Sequence, residues 1–387
     1  MFSEEQASFI SDKTGLSDLG PLVGCVKQCG FDGAAYVAAN ADLQEAGLDP
    51  SSAFFHLLAH GVDEQRHVPG DTLPEGLPAL AALAIPDQAY ARRLFRTLFF
   101  GQLENPRTAA RLWQSIDGVL IEAIRRMGGV PYFIIGDSHS NHYRRHSSIG
   151  DVWLAPLPML CHGGSAVRLT GDDAGTPHGS RILRWARTAA YLPSEFDVPI
   201  ILNFGGIDAD FFWMWRRLRK RAYRFSIGEF DAWARESVAQ YGVFLDMLGS
   251  ILDRKVLRIS SVFPTALGDA EWAEQFVHAY QGTPERDRQL ATELQKLEIP
   301  DLAGRTKLRA LYNSHLRRMC DDKGLDFVDA FSPFLGCDGL PDSRYLALPG
   351  DFHLNQEASE EPLVELIWRH VCAEAVCGLP SQASIPG

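Results

Sequence analysis

The sequence has few of the features that mark a membrane, secreted or disulfide-bonded protein. No apolar run reaches about eighteen residues, the length that a membrane-spanning helix needs. The amino terminus, Met-Phe-Ser-Glu-Glu-Gln, is acidic where a secretory signal has a basic region before an apolar block. The seven cysteines are odd in number and lack paired CxxC spacing, which predicts thiols in a reducing compartment. We therefore expect a cytoplasmic protein with no membrane span.

Positive charge is also scarce. The chain has 37 Lys and Arg against 49 Asp and Glu, a formal net charge of -12. General nucleic-acid binders need a basic surface that neutralises phosphates, so this charge argues against nucleic acid as a partner. With 387 residues, 46% of them hydrophobic and 22% charged, the chain has the composition of a globular protein with one large and one smaller domain.

The first part of the chain is predicted to be a small helical module. Over residues 31–69, apolar residues at helical spacing alternate with Asp, Asn and Gly stops, which predicts two or three short helices. A stretch rich in Pro and Gly at 69–78 predicts a linker, and amphipathic helices are expected near 87–102 and 108–127. The predicted domains are a helical module at 1–69, a linker with connecting helices at 70–130, an α/β domain at 131–378 and a tail at 379–387.

From residue 131 onward, short apolar runs alternate with helical segments. Strands interleaved with helices are typical of a parallel sheet covered by helices on both faces. The sequence therefore predicts an α/β fold that ends in a helix near 357–376. The predicted strands are 132–135, 152–154, 166–169, 199–204, 255–262 and 325–329.

Two separated loops carry the side chains of a candidate active site. A buried apolar run ends in Gly-Asp-Ser-His, which places Ser138 at the carboxyl end of a strand, where ligands bind in open parallel sheets. A second loop, Leu348–Asn355, carries Asp351 and His353 two residues apart. A Ser hydroxyl is a poor nucleophile unless a base removes its proton. Ser138, His353 and Asp351 are therefore the predicted nucleophile, base and orienting acid.

In these two loops the sequence resembles the SGNH (GDSL-type) hydrolase superfamily. Gly136-Asp-Ser138 matches the family's first block, and the Asp351/His353 pair matches its last block. The resemblance spans roughly residues 131–375. It implies a flavodoxin-like three-layer sandwich with a central parallel sheet, and a chemistry of ester hydrolysis or acyl transfer.

The same resemblance implies an oxyanion hole. The family's second block contributes a glycine amide, and its counterpart here is Cys161-His-Gly-Gly-Ser-Ala166. The amide of Gly164, or that of Gly163, is expected to bind the oxyanion together with the amide of Ser138.

The third block departs from the family pattern. The family has Gly-x-Asn-Asp, whereas this chain has Ile207 in place of the Asn. An aliphatic side chain donates no hydrogen bond, and one missing oxyanion donor costs about 3–4 kcal/mol of transition-state stabilisation. Three alternatives follow: Asn203 or Asn141 donates instead, the amides of Ser138 and Gly164 suffice, or the activity is weak. Asp208 is expected to pair with a cation, to bind a substrate hydroxyl or to cap a helix. The predicted substrate-binding residues are Asp137, His139, Asn141, Asn203 and Asp208.

Residues 31–69 also resemble a small helical module of the form "FD…YL..NPDV…HYL.HG..EGR". This module accompanies bacterial carbohydrate-active and surface-polysaccharide proteins. The two resemblances together imply an esterase or O-acyl(acetyl)transferase that acts on an O-acylated carbohydrate, with an acyl donor as a further partner in the transfer reaction. No cofactor and no metal ion is expected in that reaction.

Two other functions stay open at this stage. One is a non-catalytic carbohydrate-binding or assembly protein on a degenerate SGNH fold, which Ile207 favours. The other is a metallophosphoesterase, because Asp137-Ser-His139 has Asp-x-His spacing and Gly171-Asp-Asp173 resembles a second metal-binding block. That family's Gly-Asn-His block is missing from the sequence, and His139, His142 and His146 have no carboxylate partner of the expected spacing.

A basic and aromatic stretch at 210–225 has two interpretations. Its Arg side chains could bind the carboxylate or phosphate of a ligand by paired hydrogen bonds. A helix with its aromatic residues in the core and its basic residues in solvent is the favoured interpretation.

Overall fold

The computed structural model describes residues 2–69, 76–104, 118–171, 177–190, 198–266, 291–346 and 353–372. Asp351, Asp172, Asp173 and the predicted tail lie outside these residues. The α-helices are α1 Glu4–Thr14, α2 Gly20–Gln28, α3 Gly33–Ala39, α4 Ala41–Glu45, α5 Ala53–His56, α6 Gly76–Ala82, α7 Gln88–Glu104, α8 Gly118–Arg126, α9 His178–Ala189, α10 Trp213–Lys220, α11 Ile227–Gly249, α12 Leu302–Lys323 and α13 Glu360–Val371.

Shorter helical turns and six strands complete the described elements. The π-helical turns are Leu57–Gly61 and Asp208–Phe212, and the 3₁₀ turns are Ser138–Tyr143, Ala166–Arg168, Arg254–Val256, Ser332–Phe334 and Ser343–Tyr345. The strands are β1 Gly129–Gly136, β2 Ser148–Ile149, β3 Val152–Leu160, β4 Ile200–Asn203, β5 Leu257–Ser260 and β6 Asp326–Val328.

The strands form one sheet in the order β2-β3-β1-β4-β5-β6. β1 pairs with β4, β4 with β5 and β5 with β6, each in parallel. β3 is also parallel to β1, because Trp153 N donates to Gly128 O and Cys161 N donates to Gly136 O with the same offset. Only β2 is antiparallel to its neighbour. The five parallel strands have the flavodoxin-like order 2-1-3-4-5, so the predicted α/β fold with a central parallel sheet is confirmed.

Short sequence patterns explain why these residues form a sheet. β1 and β4 are almost continuous runs of buried apolar residues, as expected of strands covered on both faces. From β3 to β6 the chain crosses the sheet in one direction, and right-handed connections then place the intervening helices on one face. Accordingly α11 packs against α9 and α12, and Ser237 and Tyr312 share a hydrogen bond of 2.8 Å between their hydroxyl groups.

One predicted strand is wrong. Residues 166–169 begin as the 3₁₀ turn Ala166–Arg168 instead of a strand. The amides of Ala166 and Val167 donate to the buried carboxylate of Asp208, at 2.7 and 3.2 Å. Because those amides are bound to a side chain, they are not available to a neighbouring strand.

The described residues divide into two compact units. One comprises residues 2–131 and 146–159, and the other comprises 132–145, 160–190 and 198–372. No helix in the described ranges combines the length and the apolar composition that crossing a membrane requires.

The helical module of the first unit owes its structure to the residues that define its motif. Asp32 caps α3 by accepting hydrogen bonds from Ala34 N and Ala35 N. The Asn40 side chain donates to Tyr36 O and His67 O. A Cβ atom on Gly61 would lie 2.3 Å from the hydroxyl oxygen of Tyr36. The motif residues therefore pack and cap the module, and the domain boundaries at 69 and 130 remain predictions.

Candidate active site

Ser138 lies where β1 ends. The strand is followed by Asp137, whose carboxylate accepts a hydrogen bond of 2.9 Å from His139 N and so begins the 3₁₀ turn. A Cβ atom on Gly136 would lie 2.3 Å from Asn203 O, so the strand exit requires glycine. Asp137 and His139 are buried, but Ser138 between them is partly exposed. Its hydroxyl forms no hydrogen bond with the described residues and is accessible at the carboxyl edge of the sheet.

The structure brings the distant His353 to this edge. The ring centroids of His353 and His139 are 4.9 Å apart, and those of His353 and His142 are 6.0 Å apart. Phe263, which follows β5, packs against His142 with a centroid distance of 5.2 Å. The three imidazoles and one phenyl ring therefore form a cluster, and His139 of this cluster directly follows Ser138 in the chain. Asp351, the predicted orienting acid, lies outside the described residues.

His142 is the most buried imidazole of the cluster. It is 2% exposed, and neither ring nitrogen has a hydrogen-bond partner among the described residues. Burial lowers the pKa of His142 well below its ordinary value, and the neighbouring His139, His353 and Arg145 lower it further. This environment therefore favours the neutral form of His142.

Asp137 and His139 form a pair of their own. The Asp137 Oδ1 atom is 3.1 Å from His139 Nδ1, and the two side chains are 1% and 7% exposed. Asp137 Oδ2 has no hydrogen-bond partner among the described residues. A Cβ atom on Gly206 would lie 3.6 Å from this oxygen, so the third block faces the carboxylate. The pair orients the His139 ring against His353, and little of either side chain is accessible to a substrate.

Arg145 connects the Ser138 segment to the His353 segment. This buried side chain donates to His142 O at 2.8 Å, to Gln356 O at 3.1 Å and to Ser359 Oγ at 3.2 Å. Burial lowers the pKa of Arg145, but the group remains a charged donor. Sequence reasoning missed this residue, because a second Arg in Arg144-Arg145 gives no signal that it is buried.

Replacement of Arg145 by Met is expected to lower stability and, if Ser138 and His353 act as the sequence predicts, the turnover of an ester substrate as well. The free energy of unfolding should fall by about 2–4 kcal/mol, because two carbonyls and a hydroxyl lose a charged donor. Hydrolysis of p-nitrophenyl acetate should fall about 10- to 100-fold at a temperature where the variant is folded, because the base loses its position. Arg145→Lys should recover part of the turnover.

The control for Arg145 is Arg184→Met, which removes an exposed arginine from α9. Urea unfolding and turnover should both match those of the unmodified protein. If Arg145→Met loses stability but keeps full turnover per folded molecule, Arg145 has no positioning role.

The predicted oxyanion donors differ in their availability. Gly164 N donates to Cys161 O at 2.7 Å, so this amide is already engaged. The amides of Ser138 and Gly163 form no hydrogen bond with the described residues. Gly163 is exposed and has a positive φ of 67°, a conformation that favours glycine. Of the two glycine amides, that of Gly163 is therefore the more available for an oxyanion.

The polar residues of the third block face the interior. Asp208 is fully buried and accepts hydrogen bonds from Ser165 Oγ, Ala166 N and Val167 N. Burial raises its pKa, and these hydrogen bonds offset only part of the increase. The carboxylate thus fixes the backbone at the end of the second block and is not exposed to solvent.

The two alternative amides differ in their availability to replace the missing Asn. The Asn203 side chain donates to Ser260 Oγ at 2.9 Å and to Ser261 O at 3.2 Å, so both of its hydrogens are used between β4 and β5. The Asn141 side chain is partly exposed, and its oxygen accepts from Arg144 at 3.4 Å. Of the two, only Asn141 is accessible from solvent.

The basic and aromatic stretch is mostly structural. Arg217 is 1% exposed and donates to Tyr223 O and Glu298 O. Asp210, at the start of the stretch, forms an ion pair with the buried Arg309. These contacts fit the favoured interpretation, in which the stretch is a packed helix.

The residues for a two-metal site are not assembled in the part of the chain that the structure describes. No group of three or more His, Cys, Asp or Glu side chains there is arranged to hold a metal ion. Two of the residues of the second metal-binding block, Asp172 and Asp173, lie outside that part, so the phosphoesterase alternative remains a prediction.

Comparison with known proteins gives only distant similarities. No family model and no curated protein matches the chain. A solved structure from Streptococcus pneumoniae, described as a candidate platelet activating factor, is 12% identical over 73% of this chain and 99% of its own, with a TM-score of 0.38. A GDSL-like lipase from Bacteroides thetaiotaomicron is 10% identical over 64% of this chain and 89% of its own, with a TM-score of 0.30.

A candidate acylhydrolase from Bacteroides fragilis is 8% identical over 64% of this chain and 86% of its own, with a TM-score of 0.30. Similarities at this level assign no activity to the chain. The functional proposal therefore depends on the residues around Ser138.

Proposed function

We propose that this protein is a serine-dependent esterase or O-acyltransferase that acts on an O-acylated carbohydrate. The observation that supports it best is that the partly exposed Ser138 precedes His139, whose ring lies 4.9 Å from that of His353, a residue from the opposite end of the domain sequence. A hydroxyl next to an imidazole at the carboxyl edge of a parallel sheet is the arrangement that nucleophilic acyl transfer needs.

In the proposed reaction Ser138 Oγ attacks the acyl carbonyl while His353 accepts the hydroxyl proton. The amides of Ser138 and Gly163 bind the oxyanion. The alkoxide leaving group departs with the proton from His353, which leaves an acyl group on Ser138. Water, or a sugar hydroxyl in the transferase case, then attacks the acyl-enzyme as His353 takes its proton, and Ser138 is regenerated.

A fluorophosphonate probe tests the nucleophile directly. Labelling should map to the peptide that contains Ser138 and should be at least about tenfold slower in His353→Gln, because the base that activates the hydroxyl is lost. Labelling at another Ser, or equal labelling of His353→Gln, would contradict the assignment. Release of acetate from an acetylated sugar, with and without a second sugar as acceptor, separates hydrolysis from transfer.

A non-catalytic carbohydrate-binding protein is the second candidate. It is favoured by Ile207 in the third block and by the engaged amide of Gly164, since both reduce the number of oxyanion donors. In that case Ser138 stays unlabelled although the protein binds an acylated sugar saturably.

A further inference from the structure

A polar cavity lies in the first compact unit. It has a volume of about 290 Å³, and all the residues that line it belong to this unit. One wall is the loop Gln65–Val68, the second is the face of α7 that carries Arg96, Thr97 and Phe100, and the third is the segment His146–Ser148. Residues 96, 97, 100 and 101 share a helix face because they follow the helical period.

The cavity is built by close packing and fixed backbone. A Cβ atom on Gly101 would lie 1.7 Å from Val68 O, so the loop rests directly on α7 where there is no side chain. The Asn40 side chain donates to His67 O at 2.9 Å and holds the loop from behind. Phe100 stacks on His146 with ring centroids 3.7 Å apart. These contacts join all three walls.

The loop also carries an unusual backbone conformation. Gln65 has a φ of 53°, in the left-handed region that costs a residue with a side chain about 1 kcal/mol or more. In the module pattern this position is the Gly of "EGR", whereas this chain has Gln. The residue with the strained backbone is therefore one that also lines the cavity, Gln65.

The charge of the cavity comes from Arg96. The two preceding arginines of α7 have acidic partners, since Arg92 pairs with Asp151 at 2.8 Å and Arg93 with Asp63 at 3.1 Å. Arg66 on the loop pairs with Glu64 and Asp42. Arg96 forms no hydrogen bond or ion pair with the described residues. Burial and the charge of Arg93 lower its pKa, with no carboxylate to offset them.

The Arg96 guanidinium is half-buried and unpaired, although the chain has a net charge of -12. Because a buried charge without a partner is costly, an anionic ligand would stabilise it. Arginine recognises a carboxylate or a phosphate by two parallel hydrogen bonds. Thr97, Ser148 and the Gln65 amide add neutral hydrogen-bonding groups around it. The volume is near the lower end of small-molecule sites, which begin at about 300 Å³, and suits one sugar residue.

We propose that this cavity binds a single sugar residue that carries a carboxylate or phosphate group, with Arg96 holding the anion. The site is distinct from Ser138, and the inference does not depend on the proposed esterase activity. Its function is recognition of an acidic sugar, with the neutral side chains contacting the sugar hydroxyls.

Isothermal titration calorimetry of the full chain tests the inference. Glucuronate or glucose 6-phosphate should bind saturably at one site, and the tighter of the two identifies the anionic group. Neutral glucose should not bind. Arg96→Gln should weaken the binding about 10- to 100-fold, the effect of losing one charge-assisted pair of hydrogen bonds.

The matched control is Arg126→Gln, which removes an exposed arginine of the same unit from α8 and should leave the affinity unchanged. If circular dichroism shows that Arg96→Gln is unfolded, Arg96→Lys is used, which keeps the charge but loses the two-pronged geometry and should still weaken binding. Equal binding of glucose, no binding of either acidic sugar, or unchanged affinity of the Arg96 variants would overturn the inference.

Discussion

Replacement of Ser138 by Ala is expected to lower ester turnover by about 10⁴-fold or more, a loss typical of a missing nucleophile. Ser138 is partly exposed between two buried neighbours, and the ring of His139, the next residue in the chain, lies 4.9 Å from that of His353. Without that oxygen no acyl-enzyme forms, and only the weak effects of binding and oxyanion stabilisation remain. The measurement is the hydrolysis of p-nitrophenyl acetate, together with the burst of p-nitrophenol in the first turnover.

The burst is informative because the site contains three imidazoles. An imidazole by itself attacks an activated ester, so slow background hydrolysis is expected to survive in Ser138→Ala while the burst disappears. The control is Ser180→Ala, which removes an exposed hydroxyl from α9 and should keep full turnover.

A double variant tests whether Ser138 and His353 act in the same catalytic step. Residues that act as one catalytic unit have non-additive effects, so adding His353→Gln to Ser138→Ala should lower turnover little further. Losses that multiply would show that the two side chains act in separate steps. An unchanged burst in Ser138→Ala would exclude Ser138 as the nucleophile.

Replacement of Asp208 by Ala is expected to lower the free energy of unfolding by about 3–5 kcal/mol. The carboxylate is fully buried, and its removal leaves the hydroxyl of Ser165 and two backbone N–H groups without an acceptor. Each buried donor left unsatisfied costs about 1–3 kcal/mol. The variant should also disturb the second block, which contains two of these three donors. Urea unfolding followed by circular dichroism measures the loss.

The control is Asp322→Ala, an exposed acid near the end of α12, whose effect should stay within about 0.5 kcal/mol. Asp208→Asn should be intermediate, because one of the two carboxylate oxygens becomes a donor that faces other donors. A loss below about 1 kcal/mol in Asp208→Ala would mean that the donors find other acceptors and that Asp208 does not hold the segment.

The pKa of Asp208 adds a pH dependence with a defined sign. Burial raises this pKa in the folded state, so the folded chain binds the proton more tightly than the unfolded chain does. The contribution of Asp208 to stability is therefore largest below the unfolded-state pKa of about 3.9 and declines as the pH rises through the folded-state value. Asp208→Asn should lack this decline.

Most of the strands could be predicted because their signals are local. A buried strand is an apolar run between turn residues, and the runs at 132–135 and 199–204 gave strands close to their predicted places. The run at 166–169 has a similar apolar pattern but forms a 3₁₀ turn. Its amides donate hydrogen bonds to Asp208, which lies some forty residues away in the chain. No local pattern reports that interaction.

In the candidate site, too, the sequence identified polar residues but did not reveal their long-range contacts. Asp208, Asn203 and Asn141 were equally polar candidates in the sequence, and only burial separates them. Arg145 had no signal at all, since its importance comes from contacts with Gln356 and Ser359 in a distant segment. The Ile207 substitution was visible in the sequence, but the engagement of the Gly164 amide was not.

The sequence by itself determined the α/β class, the strand exit at Ser138 and the pairing of an alcohol with a remote imidazole as a hypothesis. These depend on apolar periodicity, turn residues and side-chain chemistry, which are properties of short segments. The tertiary structure alone decided which polar groups are buried in hydrogen bonds and which face solvent. That outcome depends on desolvation and on hydrogen-bond partners that are far apart in the chain. The distances between such residues in space cannot be read from the order of the sequence.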